Sequence, residues 1–272
     1  MTASPPRRRG ISTKIAWVLR VACFMCYVGH GAFGFYRKEA WVPYFGVVGV
    51  GRDTARELMP LVGLMDVSLG ISILLSPRPA VLLWMVIWAV WTALLRPLSG
   101  ESSWEAVERA GNYGAPIAFL LLCVPLAGRW LKAAVPEPAT LREVWLPRAL
   151  ALAAALLFVG HGALALGVKP GIVTTMASVF GGAATSLTFW SGIVEVALAI
   201  AIVARPSAEL ALFMACWKLA TEALFVTAGA PFWEIIERGG SYGVPLALAI
   251  LLHSRRDPAT AAVTPRGASA AA

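Results

Sequence analysis

The chain is written twice. VGHGAFGF at residues 28–35 returns as VGHGALAL at 159–166, 131 residues on, and from residue 60 the offset is 129 without a break. GLMDVSLGISILLSPRP answers SGIVEVALAIAIVARP, and SSWEAVERAGNYGAPIAFLLL answers PFWEIIERGGSYGVPLALAIL. A duplication of this length restricts the fold to two copies of one unit, the second shortened by two residues in its first loop.

Each copy reads as four apolar spans. They lie at about 15–36, 58–76, 80–96 and 113–128, then at about 148–167, 187–204, 208–228 and 241–254, near the roughly 20 residues a helix needs to cross hydrocarbon. Hydrophobic residues make up 58% of the 272 and charged ones 14%, against roughly 25% charged in soluble domains. That balance excludes a soluble globular enzyme, and the spans leave no room for a large soluble domain. The expected fold is all-α: a polytopic membrane bundle of eight transmembrane helices arranged as two parallel four-helix repeats. An even number of spans per copy brings the second copy in from the same side, which disfavours inverted-repeat transporter folds.

The expected domains are a basic cytoplasmic tail (1–14), a first membrane repeat (15–128), a cytoplasmic linker rich in Pro and charge (129–147), a second repeat (148–254) and a disordered cytoplasmic tail (255–272). Basic residues set the orientation. With both termini inside, Arg7, Arg8, Arg9, Lys14, Arg20, Arg78, Arg129, Lys132, Arg142, Arg148, Arg205, Arg255, Arg256 and Arg266 are cytoplasmic, against eight Lys or Arg outside. The chain is therefore expected in the cell membrane with N- and C-termini cytoplasmic. The net charge of +8 follows from this topology and implies no nucleic-acid partner; the partner is the bilayer. The basic start and first apolar run lack a small-x-small cleavage site, so they read as a retained span, and RRRG lacks the context of a twin-arginine signal. The four cysteines, Cys23, Cys26, Cys123 and Cys216, lie in apolar stretches and do not form a disulfide framework.

Ionisable residues within hydrocarbon are costly and face a partner, a cavity or a site. Here they come in matched pairs. His30 and His161 sit between glycines in the first span of each copy, and Asp66 and Glu195 sit at similar depth in the second. One His and one carboxylate per copy are expected to meet. Trp88, Thr92 and Arg96 share a helix face in the third span, as do Trp217, Thr221 and Phe225. A short polar helix follows in each copy, W-E-x-x-E-R-(A/G)-G-(N/S)-Y-G-x-P, at Trp104–Pro116 and Trp233–Pro245. Ser102 or Ser103 is its expected cap, Glu105 and Glu108 suit its first turn, and Gly111 is placed to close it. Arg96-Pro97 is expected to end the third span.

Asp66 and Glu195 are thus candidate catalytic carboxylates. His30, His161, Trp88, Trp217, Arg109, Arg238, Tyr113 and Tyr242 are candidate cofactor-binding residues. The same set also serves to lock a small bundle, and interfacial Trp and Tyr need no chemistry. The copies differ in two ways. Cys23-x-x-Cys26 with His30 has no counterpart, since Ala154 and Leu157 replace the thiols; it reads as packing rather than a metal or dithiol site. Lys218 and Glu222 occur only in the second copy, as a mutually neutralising i, i+4 pair.

Gly63, Asp66 and Gly70, and again Gly192, Glu195 and Ala199, follow G-x-x-(D/E)-x-x-x-(G/A), each preceded by G-H-G and by Lys38 or Lys169. With these residues the chain resembles the DoxX family of four-span membrane proteins, as a tandem duplication of that unit. The resemblance implies membrane-linked redox work: some members resemble the small subunit of thiosulfate:quinone oxidoreductase, and others act with soluble partners in thiol homeostasis. The second-span carboxylate of the family maps onto Asp66 and Glu195, and no cofactor ligand carries over. Ala199 departs from the family glycine.

Four functions compete at this point. One is a redox subunit, acting with a soluble or membrane redox partner, that holds a quinone, haem or metal in the His and carboxylate layer near the outer face. Two others are a proton-coupled small-solute carrier and a non-catalytic assembly subunit. A minor fourth is an acid-catalysed lipid or isoprenoid enzyme. Walker, Rossmann and zinc-hydrolase spacings are absent.

Overall fold

The structure, a computed structural model, describes residues 6–123, 130–133 and 140–256. Among these residues all regular structure is helical. The N-terminal half comprises α1 (Pro6–Phe35), a 3₁₀ turn at Glu39–Trp41, α2 (Val42–Gly46), α3 (Arg52–Leu75), α4 (Pro79–Leu98), α5 (Ser103–Glu108) and α6 (Ala110–Cys123). The C-terminal half comprises α7 (Thr140–Leu166), α8 (Pro170–Phe180), a 3₁₀ turn at Gly181–Ala183, α9 (Ala184–Ala204), α10 (Ala208–Thr227), α11 (Trp233–Glu237) and α12 (Gly239–Arg256).

Six stretches are long and apolar enough to cross a membrane: Gly10–Phe35, Arg52–Leu75, Pro79–Leu98, Val144–Leu166, Pro170–Ala204 and Ala208–Thr227. This is the profile of a multi-pass membrane protein. The remaining two expected spans fall on α6 and α12, which are not among the six. Residues 124–128, the end of the first of these spans, lie outside the described residues.

The helices bury small and polar residues and turn bulky apolar ones outward. On α3 the buried face is Ala55, Met59, Gly63, Asp66, Gly70 and Ile73. On α9 it is Ala184, Thr188, Gly192, Glu195, Ala199 and Ile202, each 129 residues further on. Leu61, Leu75, Ile200 and Val203 on the opposite faces are more than 60% exposed. In water such a surface would aggregate, whereas lipid is a good solvent for it.

Glycine lets the backbones touch where the two halves meet. α1 packs on α3 and also on α11 and α12, while α7 packs on α9 and also on α5 and α6. Helices α6 and α12 cross at Gly111 and Gly240, where a Cβ on Gly111 would lie 2.8 Å from the Gly240 carbonyl carbon. A Cβ on Gly29 would fall on the backbone of Ile236 and Glu237, and one on Gly160 on that of Val107 and Glu108. The first glycine of each G-H-G block is therefore where the other half's short polar helix rests.

Several local expectations change. α3 starts at Arg52 rather than near residue 58, because Gly51 is extended at its N-cap and Asp53 lies in its positive first turn. That turn is polar, and hydropathy passes over it. Pro97 does not end α4 at its own position: it sits in the last turn, where few backbone donors are lost, and Ser99 N–H closes the helix onto Leu95 and Arg96. Ser102 is the cap of α5, its hydroxyl accepting from Trp104 N–H. Gly111 does not close α5; the helix stops at Glu108, and Gly111 lies inside α6, where the crossing with Gly240 requires it. Of the expected tails and linker, residues 1–5, 129, 134–139 and 257–272 lie outside the described residues, while Thr140–Pro147 already belongs to α7.

Gly111→Ala separates helix propensity from packing. Alanine gains about 0.5–1 kcal/mol within a helix, but overlap with a facing backbone costs about 1–3 kcal/mol or more. A lowered Tm in detergent is expected for Gly111→Ala. No loss is expected for Gly10→Ala, whose new Cβ meets nothing within 4 Å.

Candidate functional site

Helix α1 delivers His30 to α3 because Gly31 and Gly63 let the two backbones approach; a Cβ on Gly31 would lie 2.7 Å from Gly63 O. One turn beyond Gly63, Asp66 then meets the imidazole, with His30 Nδ1 3.0 Å from Asp66 Oδ2. The Trp41 ring covers the imidazole, centroids 4.5 Å apart at 30°. The α7 and α9 pair repeats this arrangement: His161 Nδ1 lies 2.5 Å from Glu195 Oε2, and Gly162 faces Gly192. The expected meeting of one His with one carboxylate in each half is found.

Beyond these dyads the halves diverge. In the C-terminal half the longer Glu195 side chain also accepts from Trp217 Nε1–H at 3.0 Å. Lys218 Nζ stands 3.6 Å from Glu195 and 3.0 Å from Glu222, and Arg238 Nε stands 3.2 Å from Glu222 Oε2. Lys218 and Glu222 are wholly buried, so the neutralising pair read from the sequence is one part of a five-residue charged cluster that includes His161.

In the N-terminal half alanines stand at the corresponding positions, Ala89 and Ala93, and a cavity of about 170 Å³ remains between α1, α2, α3 and α4. Ala89 and Ala93 both line it, together with His30, Asp66, Trp88 and Arg109. Val48 and Trp91, both exposed, mark its mouth. Asp66 is one methylene shorter than Glu195 and reaches only the imidazole. Among the described residues Asp66 Oδ1, Trp88 Nε1 and Arg109 Nε have no hydrogen-bond partner. In the other half the counterparts of the first two, Glu195 Oε1 and Trp217 Nε1, bond to each other; the counterpart of the third, Arg238 Nε, also lacks a hydrogen bond and has only its ion pair with Glu222.

A cavity near 150 Å³ holds one benzene ring, so the N-terminal cavity suits a single substituted ring. Among the described residues no group of three or more His, Cys, Asp or Glu is placed to hold a metal ion. Cys23 and Cys26 are buried and free, and Cys26 lines the cavity wall.

The short polar helices exchange charges. Lys38 pairs with Glu234 at 3.1 Å and Lys169 with Glu105 at 2.5 Å; Arg109 pairs with Glu237 at 3.0 Å and Arg238 with Glu108 at 3.5 Å. Every pair joins one half to the other. Burial works against the Glu108 and Glu237 carboxylates, but neighbouring groups outweigh it. For Glu108 these are Arg109, His161, Arg238 and Lys169; for Glu237 they are Lys38, Arg109, His30 and Arg238. Both carboxyls are held well below the usual carboxylate range.

The candidate residues therefore separate into groups. His30, Asp66, Trp88 and Arg109 meet at the open cavity. His161, Glu195, Trp217 and Arg238 belong to the closed cluster. Tyr113 packs against the main core, and Tyr242 donates its hydroxyl to Ile235 O at 2.9 Å; neither lines the cavity. Sequence reasoning missed Trp41 and Tyr44, which form part of the cavity wall. Tyr44 donates to Glu101 at 2.5 Å, beside Arg96. The one available signal was that the duplication breaks between these residues and the second helix. No family model, curated protein or solved structure matches the chain.

Removing one member of a buried ion pair costs about 3–5 kcal/mol. Arg109→Met is expected to lower detergent stability by that order, and adding Glu237→Gln to recover part of the loss, read as Tm. Stability also depends on acid. A carboxyl held low in the folded state contributes fully above its unfolded value of about 4.3 and loses that contribution as pH falls toward the folded value. Tm is expected to drop below about pH 4, and less steeply in a Glu108→Gln, Glu237→Gln double variant.

Proposed function

We propose that the chain is a DoxX-like, redox-linked membrane subunit whose N-terminal half holds a quinone headgroup against the His30 and Asp66 dyad. The observation that carries this reading is the contrast between the two halves. One pocket is filled by the chain's own Lys218 and Glu222, with Trp217 bonded to Glu195; the other is open, and its Asp66 Oδ1 and Trp88 Nε1 are buried without partners. A buried polar atom left unpaired costs about 1–3 kcal/mol, and a bound molecule removes that cost. The aromatic wall of Trp41 and Trp88 suits a flat ring, and the apolar mouth suits a molecule arriving through lipid.

When bound, a quinone supplies two-electron, two-proton exchange, with the electrons coming from a soluble or membrane redox partner. The chain's own residues bind and move protons. Asp66 fixes the orientation of the imidazole through Nδ1, which places the dyad at the cavity wall to give or take a proton. Arg109 adds positive charge beside it, and Trp88 offers a fixed N–H donor. Glu195 and His161 form a braced counterpart within the buried charged cluster.

In the full reading the chain has eight transmembrane helices in two parallel four-helix repeats, α6 and α12 included, with the domain boundaries set out above. It lies in the cell membrane with both termini cytoplasmic and the exchanged charges at the outer end of the bundle. Supporting this are the unbroken 129-residue offset, the matching buried faces of α3 and α9, and the excess of basic residues in the segments assigned to the inside.

Protein purified in mild detergent is expected to yield quinone on solvent extraction and to show tryptophan fluorescence quenched by added methylbenzoquinone. The double variant Ala89→Lys, Ala93→Glu installs in the open pocket the pair that closes the other. It is expected to keep a near-wild-type Tm and lose both signals. Quinone-free protein with unquenched fluorescence would overturn the reading, as would undiminished binding in the folded double variant.

A further inference from the structure

The next step rests on the reading of the N-terminal cavity as a ligand site, and concerns which chemical form of the ligand it accepts. Asp66 Oδ2 is occupied by His30 Nδ1, and Oδ1 is buried and unpartnered on a side chain that lines the cavity. Trp88 Nε1 is likewise buried and unpartnered on the same wall. A carboxylate oxygen only accepts and an indole N–H only donates. In the C-terminal half the corresponding atoms satisfy one another, Trp217 Nε1–H on Glu195 Oε1 at 3.0 Å. In the N-terminal half the shorter Asp66 makes no such bond with Trp88, which leaves a gap in the hydrogen bonding of two side chains that both line the cavity.

A group that fills this gap must donate to one atom and accept from the other. A hydroxyl does both; a carbonyl oxygen only accepts. The carbonyl would pair with Trp88 and set its own lone pairs against Asp66 Oδ1, and sites built around a buried hydrogen-bond partner reject ligands that lack the complement. We propose that the cavity selects a single-ring aromatic alcohol, the hydroxyl form of the quinone couple, over the carbonyl form. Its O–H donates to Asp66 Oδ1, its oxygen accepts from Trp88 Nε1–H, and its ring lies along the aromatic wall. The unpartnered Arg109 Nε–H, also at this cavity, supplies a donor for a second ligand oxygen.

The test compares methylhydroquinone, its dimethyl ether and methylbenzoquinone, titrated anaerobically into purified full-length protein by calorimetry. The ether keeps the ring and its oxygens but has no donor. The expected result is binding of methylhydroquinone at least tenfold tighter than of either other compound. Asp66→Asn is the decisive variant. The amide keeps its oxygen for His30 Nδ1–H and offers Nδ2–H to the cavity, so the preference is expected to reverse toward methylbenzoquinone. A purely structural role for Asp66 would weaken all three ligands together.

Trp88→Phe is expected to weaken every oxygen-bearing ligand without reversing the order. Equal affinities, or a wild-type preference for the carbonyl or the ether, would overturn the hydroxyl selection and leave the ligand site standing. Failure of all three compounds to bind would overturn the site itself.

Discussion

Four charged groups in each half stand at one end of the bundle, and each finds its counter-charge in the opposite half. Lys38, Glu105, Glu108 and Arg109 sum to zero among themselves, as do Lys169, Glu234, Glu237 and Arg238. Neutrality alone does not settle such charges in a medium of low dielectric; contact does. The close approaches at Gly29, Gly160, Gly111 and Gly240 follow from that requirement, because a short polar helix carrying two carboxylates must lie flat against the other half's first helix for the pairs to close. The glycines flanking His30 and His161 thus serve two contacts, one with the partner half and one that brings a carboxylate to the imidazole. A salt bridge at a surface is worth little. Here eight partly or fully buried groups are committed together, and neither half has a satisfied arrangement without the other.

Upon this shared frame the two pockets have taken different courses. Replacement of two alanines by lysine and glutamate, with one extra methylene on the second-helix carboxylate, turns an open pocket into a closed ionic cluster. The change is economical, since Lys218 and Glu222 stand one turn apart on α10 and neutralise each other as well as their neighbours. It also leaves the C-terminal pocket filled where the N-terminal one is accessible. The two halves thus share one frame and differ in what fills the space beside the dyad.

Much of this was legible in the sequence. The duplication, the apolar spans and the His and carboxylate meeting follow from spacing alone, because residues that must avoid lipid have few places to go. The two functions of the G-H-G glycines were not legible, since one of them depends on a backbone 52 positions from Gly160 and 208 from Gly29. The W-E-x-x-E-R block looked like a feature of the binding mouth. Its charges instead face across the duplication, a relation no pattern within one copy can express. Sequence likewise gave equal standing to His30 and His161. The distinction between them lies in Ala89 and Ala93, whose significance is the space they leave, and absent volume has no periodicity to detect. Trp41 escaped notice for the opposite reason, as a large residue in a loop with no repeated partner.

The exchange of charges between halves also bears on how the protein is made. Synthesis proceeds from the N-terminus, so α1 to α6 enter the membrane before α11 exists. During that interval Glu105, Glu108 and Arg109 have no counter-charges from the second half, and the glycine face of α1 has nothing resting on it. The half-built protein is therefore a species with exposed polar groups at a lipid boundary, the kind that chaperones and quality-control proteases recognise. Its lifetime is set by the time needed to translate and insert about 120 further residues, roughly 6 to 24 s at 5–20 residues per second.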